Sequence, residues 1–122
     1  MAEARRLAAE KRGRRGETLA ALLLRLKGYS ILGRRVRTHA GEIDLIARAP
    51  TGLVCFIEVK VRADEALASE ALGSRQQARI ARAAELFLAS RPELAAKGAR
   101  FDVVAVRPGA LPRHIRDAWR PN

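Results

Sequence analysis

The chain has 122 residues, 48% of them hydrophobic and 30% charged, with a formal net charge of +11. That length holds one compact domain with a real core, and a charge of that sign suits a polyanionic partner, nucleic acid before membrane. With Tyr29, Phe56, Phe87, Phe101 and Trp119 as its whole aromatic set, the chain has few platforms for stacking single-stranded bases. Cys55 is the only cysteine, which excludes an intrachain disulfide and a cysteine-based structural zinc site. Twenty of the 24 basic residues are Arg, whose rigid fork of donors suits phosphate.

Residues 1–15 are rich in Ala, Arg, Glu and Lys and read as a frayed helix or a disordered basic arm. No apolar stretch follows them, so a signal peptide is not expected. The longest apolar run, Leu19 to Leu24, is far too short for a bilayer. The expectation is a cytoplasmic protein without membrane contact, with residues 16–122 as a single domain. Gly16 to Lys27 carries Leu19, Leu22, Leu23 and Leu26 at helical spacing, and Gly28 marks the end of that helix.

Tyr29 to Thr38 alternates loosely and is Arg-rich, as in an exposed strand. Glu42 to Ala47 and Leu53 to Val61 are two apolar runs separated by Arg48-Ala49-Pro50-Thr51-Gly52, a turn by its Pro and Gly. The second run is apolar on both faces, so it reads as a buried strand. Glu58 and Lys60 are out of place there unless they are paired or hold a metal. They share one face of the strand. A hairpin loop of three or five residues sets Asp44 opposite Glu58 and Glu42 opposite Lys60, with Cβ atoms roughly 4.5–5.5 Å apart. Like charges at that distance repel, and a divalent cation between them removes the penalty. Asp44 and Glu58 are therefore candidate metal ligands, with Lys60 beside them. A structural salt-bridge cluster is the competing reading.

Residues 63–74 read as a loop. Gln76 to Ser90 forms a second helix with an apolar stripe through Ile80, Ala83, Ala84, Phe87 and Leu88, with Arg75, Arg79 and Arg82 to one side. Pro92 is expected to close it. Arg100 to Val106 reads as another buried strand, and Arg113 to Trp119 as an edge strand. The order helix, three strands, helix, one or two strands predicts an α/β fold with helices on both faces of a sheet. The second helix serves as a crossover between parallel strands.

Glu17 on the first helix, Asp44 closing Gly-Glu-Ile-Asp, and Glu58-Val-Lys60 resemble the PD-(D/E)xK nuclease constellation. Gly16-Glu17, Lys27-Gly-Tyr-Ser-Ile-Leu32, Gly41-Glu-Ile-Asp-Leu-Ile-Ala47, Phe56-Ile-Glu-Val-Lys-Val-Arg62, Arg100-Phe-Asp-Val-Val104 and His114-Ile with Ala118-Trp119 follow, in order, the YraN-like bacterial family. The likeness spans about residues 14–119. That family is similar to archaeal Holliday junction resolvases and through them to restriction endonucleases. The resemblance implies a restriction-endonuclease-like fold, with a mixed central sheet of four to five strands flanked by helices. It also implies a metal-dependent endonuclease acting on DNA in preference to RNA, with branched or damaged DNA as the substrate class. The alternative is a catalytically silent nucleic-acid-binding module on the same fold. The cation is Mg²⁺ or Mn²⁺, held by Asp44 and Glu58; Lys60 and Glu17 complete the catalytic set. Glu17 has a second reading, as an acidic residue favoured at a helix N-terminus. Arg62, Arg75, Gln77 and Arg79 are the candidate nucleic-acid contacts. Where the family has Thr-Pro and Lys before the second helix, this chain has Gly73-Ser74 and Gln76. The kinship also suggests a homodimer, because a four-way junction presents two symmetric strands. His39 and His114 are not assigned to the site, and Asp102 is expected to pair with an Arg away from it.

Overall fold

The computed structural model describes residues 1–62 and 72–121; the expected loop lies outside the described residues over 63–71. Helix α1 (Ala2–Leu26) leads into strands β1 (Ser30–Thr38), β2 (Gly41–Arg48) and β3 (Val54–Val61). After them come helix α2 (Ser74–Ala89), the single turn α3 (Pro92–Ala95), and strands β4 (Ala99–Val106) and β5 (Arg113–Trp119). The five strands form one sheet in the order β1-β2-β3-β4-β5. β3 and β4 run parallel, and the other three pairs are antiparallel. The α/β reading holds, with five strands in the mixed sheet. Among the described residues, no helix is long and apolar enough to cross a membrane.

The layers follow from the alternation of β3. Val54 and Phe56 face a cluster with Ile80, Ala83, Ala84 and Phe87 of α2. Cys55 and Ile57 face the opposite cluster with Ala20, Ala21 and Leu24 of α1. A strand covered by a helix on each side must be apolar at consecutive positions. Phe56 packs edge-on to Phe87 at 6.0 Å and stacks on Phe101 at 5.7 Å, and Phe101 meets Trp119 at 4.3 Å. Cys55 lies fully inside, and burial pushes its thiol up to about 11. It is a core residue.

Two features differ from the sequence expectation. α1 runs unbroken from Ala2, so Glu17 stands in the middle of a helix and not at its start. Pro92 begins the short α3 after α2 has ended at Ala89; proline suits the first helical turn, where its missing N–H costs nothing. The end of α1 is as expected. Gly28 takes φ +89°, the Gly28 N–H donates to Arg25 O and the Tyr29 N–H to Leu24 O. That pair of bonds is a Schellman ending, which favours glycine at the left-handed position.

Gly16 brings α1 against β3, where a Cβ would come within 2.5 Å of Val61 Cγ2. Any larger residue would lift the helix off the strand. This contact places the next residue, Glu17, over the end of the hairpin.

Candidate metal centre and its cleft

The β2–β3 hairpin has the predicted register, with Leu45 opposite Ile57, Ile46 opposite Phe56 and Ala47 opposite Cys55. Its loop is Pro50-Thr51-Gly52, closed by the Ala49 N–H on Leu53 O at 2.8 Å. The ladder stops at Leu45. There the face alternation of β2 also breaks, since Ile43 belongs to the α2-side core and Leu45 to the α1-side core. Asp44 occupies the break. Its Oδ2 accepts the Val59 N–H at 2.8 Å.

Asp44 and Glu58 lie side by side at this opening, close enough for the Asp44 carboxyl to act on Glu58. Glu58 is 7% exposed. Burial first, then the neighbouring Asp44 carboxyl and the charges of Glu17 and Glu42, hold the Glu58 carboxyl far above the usual carboxylate range. Without a cation, the pair keeps a proton. Both carboxylates line a cleft of about 300 Å³ together with Gly41, Glu42, Gln76, Arg79 and Ile80. The cleft thus lies between the opened hairpin and the start of α2.

The fit to a cation follows from the donors. Two hard carboxylate donors side by side, one forced to stay protonated, suit Mg²⁺ or Mn²⁺, which keep several waters in their shell. Among the described residues, no group of three or more His, Cys, Asp or Glu is arranged to hold a metal ion. Any donor set offered to a cation here would be the pair itself. Glu17 is committed elsewhere: Arg35 Nε donates to its Oε1 at 2.7 Å. Glu17 is buried and close enough to raise Glu58. Its reading as a helix-start residue is removed by the continuous α1. Lys60 is half-buried two residues beyond Glu58, opposite Ala105 of β4.

Of the candidate nucleic-acid contacts, Arg79 lines the cleft. Arg75 is exposed on the first turn of α2. Arg62 is exposed, with its guanidinium donating to Val61 O at 2.9 Å. Gln77 points elsewhere: its Nε2 donates to Leu72 O at 2.8 Å, and it lines a separate depression beside Trp119. Gln76 takes the place in the cleft. Glu42 faces Arg37 at the hairpin surface, 3.5 Å away.

Arg35 is the residue that sequence reasoning missed. Its neighbours Arg34 and Val36 pair with Leu45 and Ile43, so Arg35 lies across from Asp44 in the β1–β2 register. Its φ is +49°, an uncommon value for a side chain of this size. The only sequence signal was the Arg-rich stretch of β1.

The model of the Uncharacterised protein family UPF0102 matches residues 16–106. The chain belongs to UPF0102. A UPF0102 protein of Paramagnetospirillum magneticum is 56% identical over 117 residues, covering 93% of this chain and 90% of the relative. Relatives from Parvibaculum lavamentivorans and Maricaulis maris are 52% and 51% identical, covering 94% and 99% of this chain and 86% and 94% of their own lengths. The YraN-like resemblance of the sequence is therefore shown. The part matched by the UPF0102 model runs from Gly16, where α1 meets β3, to the end of β4, and contains both carboxylates, Lys60, Glu17 and Arg35.

Proposed function

We propose that this protein is a metal-dependent endonuclease that hydrolyses phosphodiester bonds of DNA, with branched or damaged DNA as its substrate class. The observation that carries the reading is the Asp44–Glu58 pair: two carboxyl groups that line one cleft together with Arg79, Glu58 being buried there. Two carboxyl groups packed together this way are costly to keep, either as two charges or with one held protonated, unless they serve a cation.

In this reading Asp44 and Glu58 hold Mg²⁺ or Mn²⁺. The bound ion supplies charge neutralisation at the scissile phosphate and an acidified water. Lys60 orients the attacking water and stabilises the charge that develops on the phosphate oxygens. Arg79 and Gln76 hold the strand across the cleft, with Arg75 and Arg62 as outlying phosphate contacts. Arg35 fixes Glu17 beside the pair, where Glu17 adds negative potential that favours a cation. The net charge of +11 draws the polyanion in. A cytoplasmic setting and a homodimer matching a two-fold branched substrate belong to the same proposal.

The test is a cleavage panel of duplex, nicked, flapped and four-way DNA, with RNA alongside, in Mg²⁺ or Mn²⁺. Asp44→Ala is run in parallel. Cleavage of at least one substrate by the wild type alone supports the proposal. Binding without cleavage would instead make the chain a silent nucleic-acid-binding module.

A further inference from the structure

A second hollow lies against the same helix as the metal cleft. It has a volume of about 260 Å³ and is lined by Val36, Arg37 and His39 of β1 and its turn, by Leu86 and Phe87 of α2, and by Arg91. Among the described residues, its ionisable lining is wholly basic. Arg79 and Ile80 line the cleft. Leu86 and Phe87 stand seven residues further along the same face of α2, roughly 10 Å away at about 1.5 Å per residue. The β1–β2 turn separates the two hollows, with Thr38 on this one and Gly41 on the cleft. That turn is braced. Thr38 Oγ1 donates to Gly41 O at 2.8 Å, and it accepts the Ala40 N–H at 3.1 Å and the Gly41 N–H at 3.2 Å.

Arg91 organises the hollow. Its guanidinium carbon lies over the buried Phe87 ring, 3.9 Å from the ring centre. Its Nη1 donates to Phe87 O at 2.8 Å and to Ser90 Oγ at 3.1 Å. A guanidinium laid on a ring and tied to a carbonyl is held in place, and its outer face can stack a base. Arg91 is exposed, so a base can reach that face. Arg37 and His39 supply cations for a phosphate on the same rim. The exposed Arg37 lies 3.5 Å from Glu42, a loose surface pairing that a phosphate can displace. Val36, Leu86 and Phe87 form an apolar wall. A phosphate alone leaves that wall uncovered, and a base stacked on both sides in a duplex cannot turn its face to Arg91. Stacking plane, apolar wall and basic rim together fit a nucleotide outside the base stack.

We propose that this hollow receives one unpaired nucleotide of the DNA strand held in the metal cleft, its base stacked on Arg91 and its phosphate met by Arg37 and His39. The inference rests on the reading of the cleft as a DNA-cleaving site, and it narrows the substrate class. At about 3.4 Å per nucleotide along a stacked strand, a separation of roughly 10 Å sets the unpaired nucleotide about three positions from the bond that is cut. Bulged, flapped or gapped DNA offers such a nucleotide at little cost, whereas perfect duplex must first break a pair. Stacking tolerates every base, so the selection is for a strand defect near the cleft and not for sequence.

The experiment measures binding by the full chain in EDTA, with a duplex carrying a single-nucleotide bulge, the same duplex fully paired, and a free deoxynucleoside monophosphate as competitor. The wild type should bind the bulged duplex about tenfold or more tighter than the paired one. Arg91→Lys keeps the charge and loses the stacking plane. It should lose that preference while binding the paired duplex as the wild type does, which also shows that the variant is folded. In Mg²⁺ or Mn²⁺ the bulged duplex should be cut about three nucleotides from the bulge. A bulge preference without any cutting removes the nuclease reading and supports the nucleotide pocket by itself. Equal wild-type affinity for bulged and paired duplexes overturns the inference, whatever the variant does. A preference unchanged in Arg91→Lys, or a cut that ignores the bulge, also overturns it. So does displacement of the bulged duplex by the monophosphate at a concentration near that of the duplex, which would assign the hollow to a free nucleotide.

Discussion

Asp44 accepts the Val59 backbone N–H at 2.8 Å, at the point where the β2–β3 ladder ends. Continuing the ladder would bring Ile43 opposite Val59, so a side-chain oxygen stands in for a backbone carbonyl. The substitution lets β2 turn away without stranding a donor, and it turns the Asp44 carboxylate toward Glu58. One residue thus opens the hairpin and furnishes half of the candidate metal site.

This double role separates two variants. Asp44→Asn keeps a carbonyl oxygen for Val59, so urea unfolding should show stability within about 1 kcal/mol of the wild type. Asp44→Ala leaves the N–H without its partner and should cost about 1–3 kcal/mol. Equal stability of the two variants would mean that the Asp44–Val59 bond does not shape the hairpin.

Glu58 gives the pH prediction. Its carboxyl is raised in the folded protein, so above the ordinary glutamate range the unfolded chain has lost a proton that the folded chain keeps. Stability of the metal-free protein should therefore fall as pH rises from about 4.5 toward 8. Glu58→Gln removes the proton linkage and should raise the metal-free melting temperature at pH 8 by about 4 °C or more, equivalent to roughly 1 kcal/mol. Mn²⁺ binding to the wild type should release about one proton and tighten about tenfold per pH unit over that range. A metal affinity independent of pH between 5 and 8 would contradict the shared proton.

Arg35 can be tested through its backbone. Both Arg35→Ala and Arg35→Gly remove the ion pair to Glu17. At φ +49°, glycine relieves strain that alanine retains, worth about 1 kcal/mol. Arg35→Gly should therefore unfold at higher denaturant than Arg35→Ala. The reverse order would show that Arg35 is not held in the left-handed conformation in solution.

The sequence carried the hairpin register from the turn to Leu45 opposite Ile57, because that depends only on local turn length and a period of two; the expected pairs Asp44–Glu58 and Glu42–Lys60 lie beyond the point where the ladder ends, and Glu42 meets Arg37 instead. The parallel pairing of β3 with β4 followed from the apolar runs and the crossover through α2. The position of Gln76 and Gln77 was less legible: α2 starts at Ser74, and a shift of one residue turns a helix by about 100°. Arg35 could not be placed, since its partner Glu17 lies on another element and its own φ departs from strand geometry. The contact of His114 Nε2 with the buried Asp102 Oδ2, at 2.8 Å, was hidden for a related reason, since β4 and β5 pair through an irregularity between Phe101 and Val103. Only the Arg partner of Asp102 was expected.

Asp102 provides a separate acid limit. Burial pushes its carboxyl up, but the bonds from His114, Arg100 and the Asp117 N–H together outweigh it and lower it to about 2. The contribution to stability is complete above about pH 4 and is lost as pH falls toward 2. Asp102→Asn leaves Arg100 without its carboxylate and should cost about 3–5 kcal/mol at pH 7. The difference from wild type should shrink in acid. A constant difference from pH 7 to pH 2 would show that the carboxylate charge is not what holds β5.

The central claim, that Asp44, Glu58 and Lys60 form a hydrolytic site, is met most directly by strand cleavage in matched preparations of wild type, Asp44→Asn, Glu58→Gln and Lys60→Ala, with DNA binding measured on the same samples. Each substitution should reduce Mg²⁺- or Mn²⁺-dependent cleavage by about 10² or more. Binding should remain equal or become tighter for the two carboxylate variants, since each loses negative charge facing phosphate. Lys60→Ala should still bind Mn²⁺. Equal nicking of every substrate by all four proteins would contradict the account, because the activity would not belong to this site.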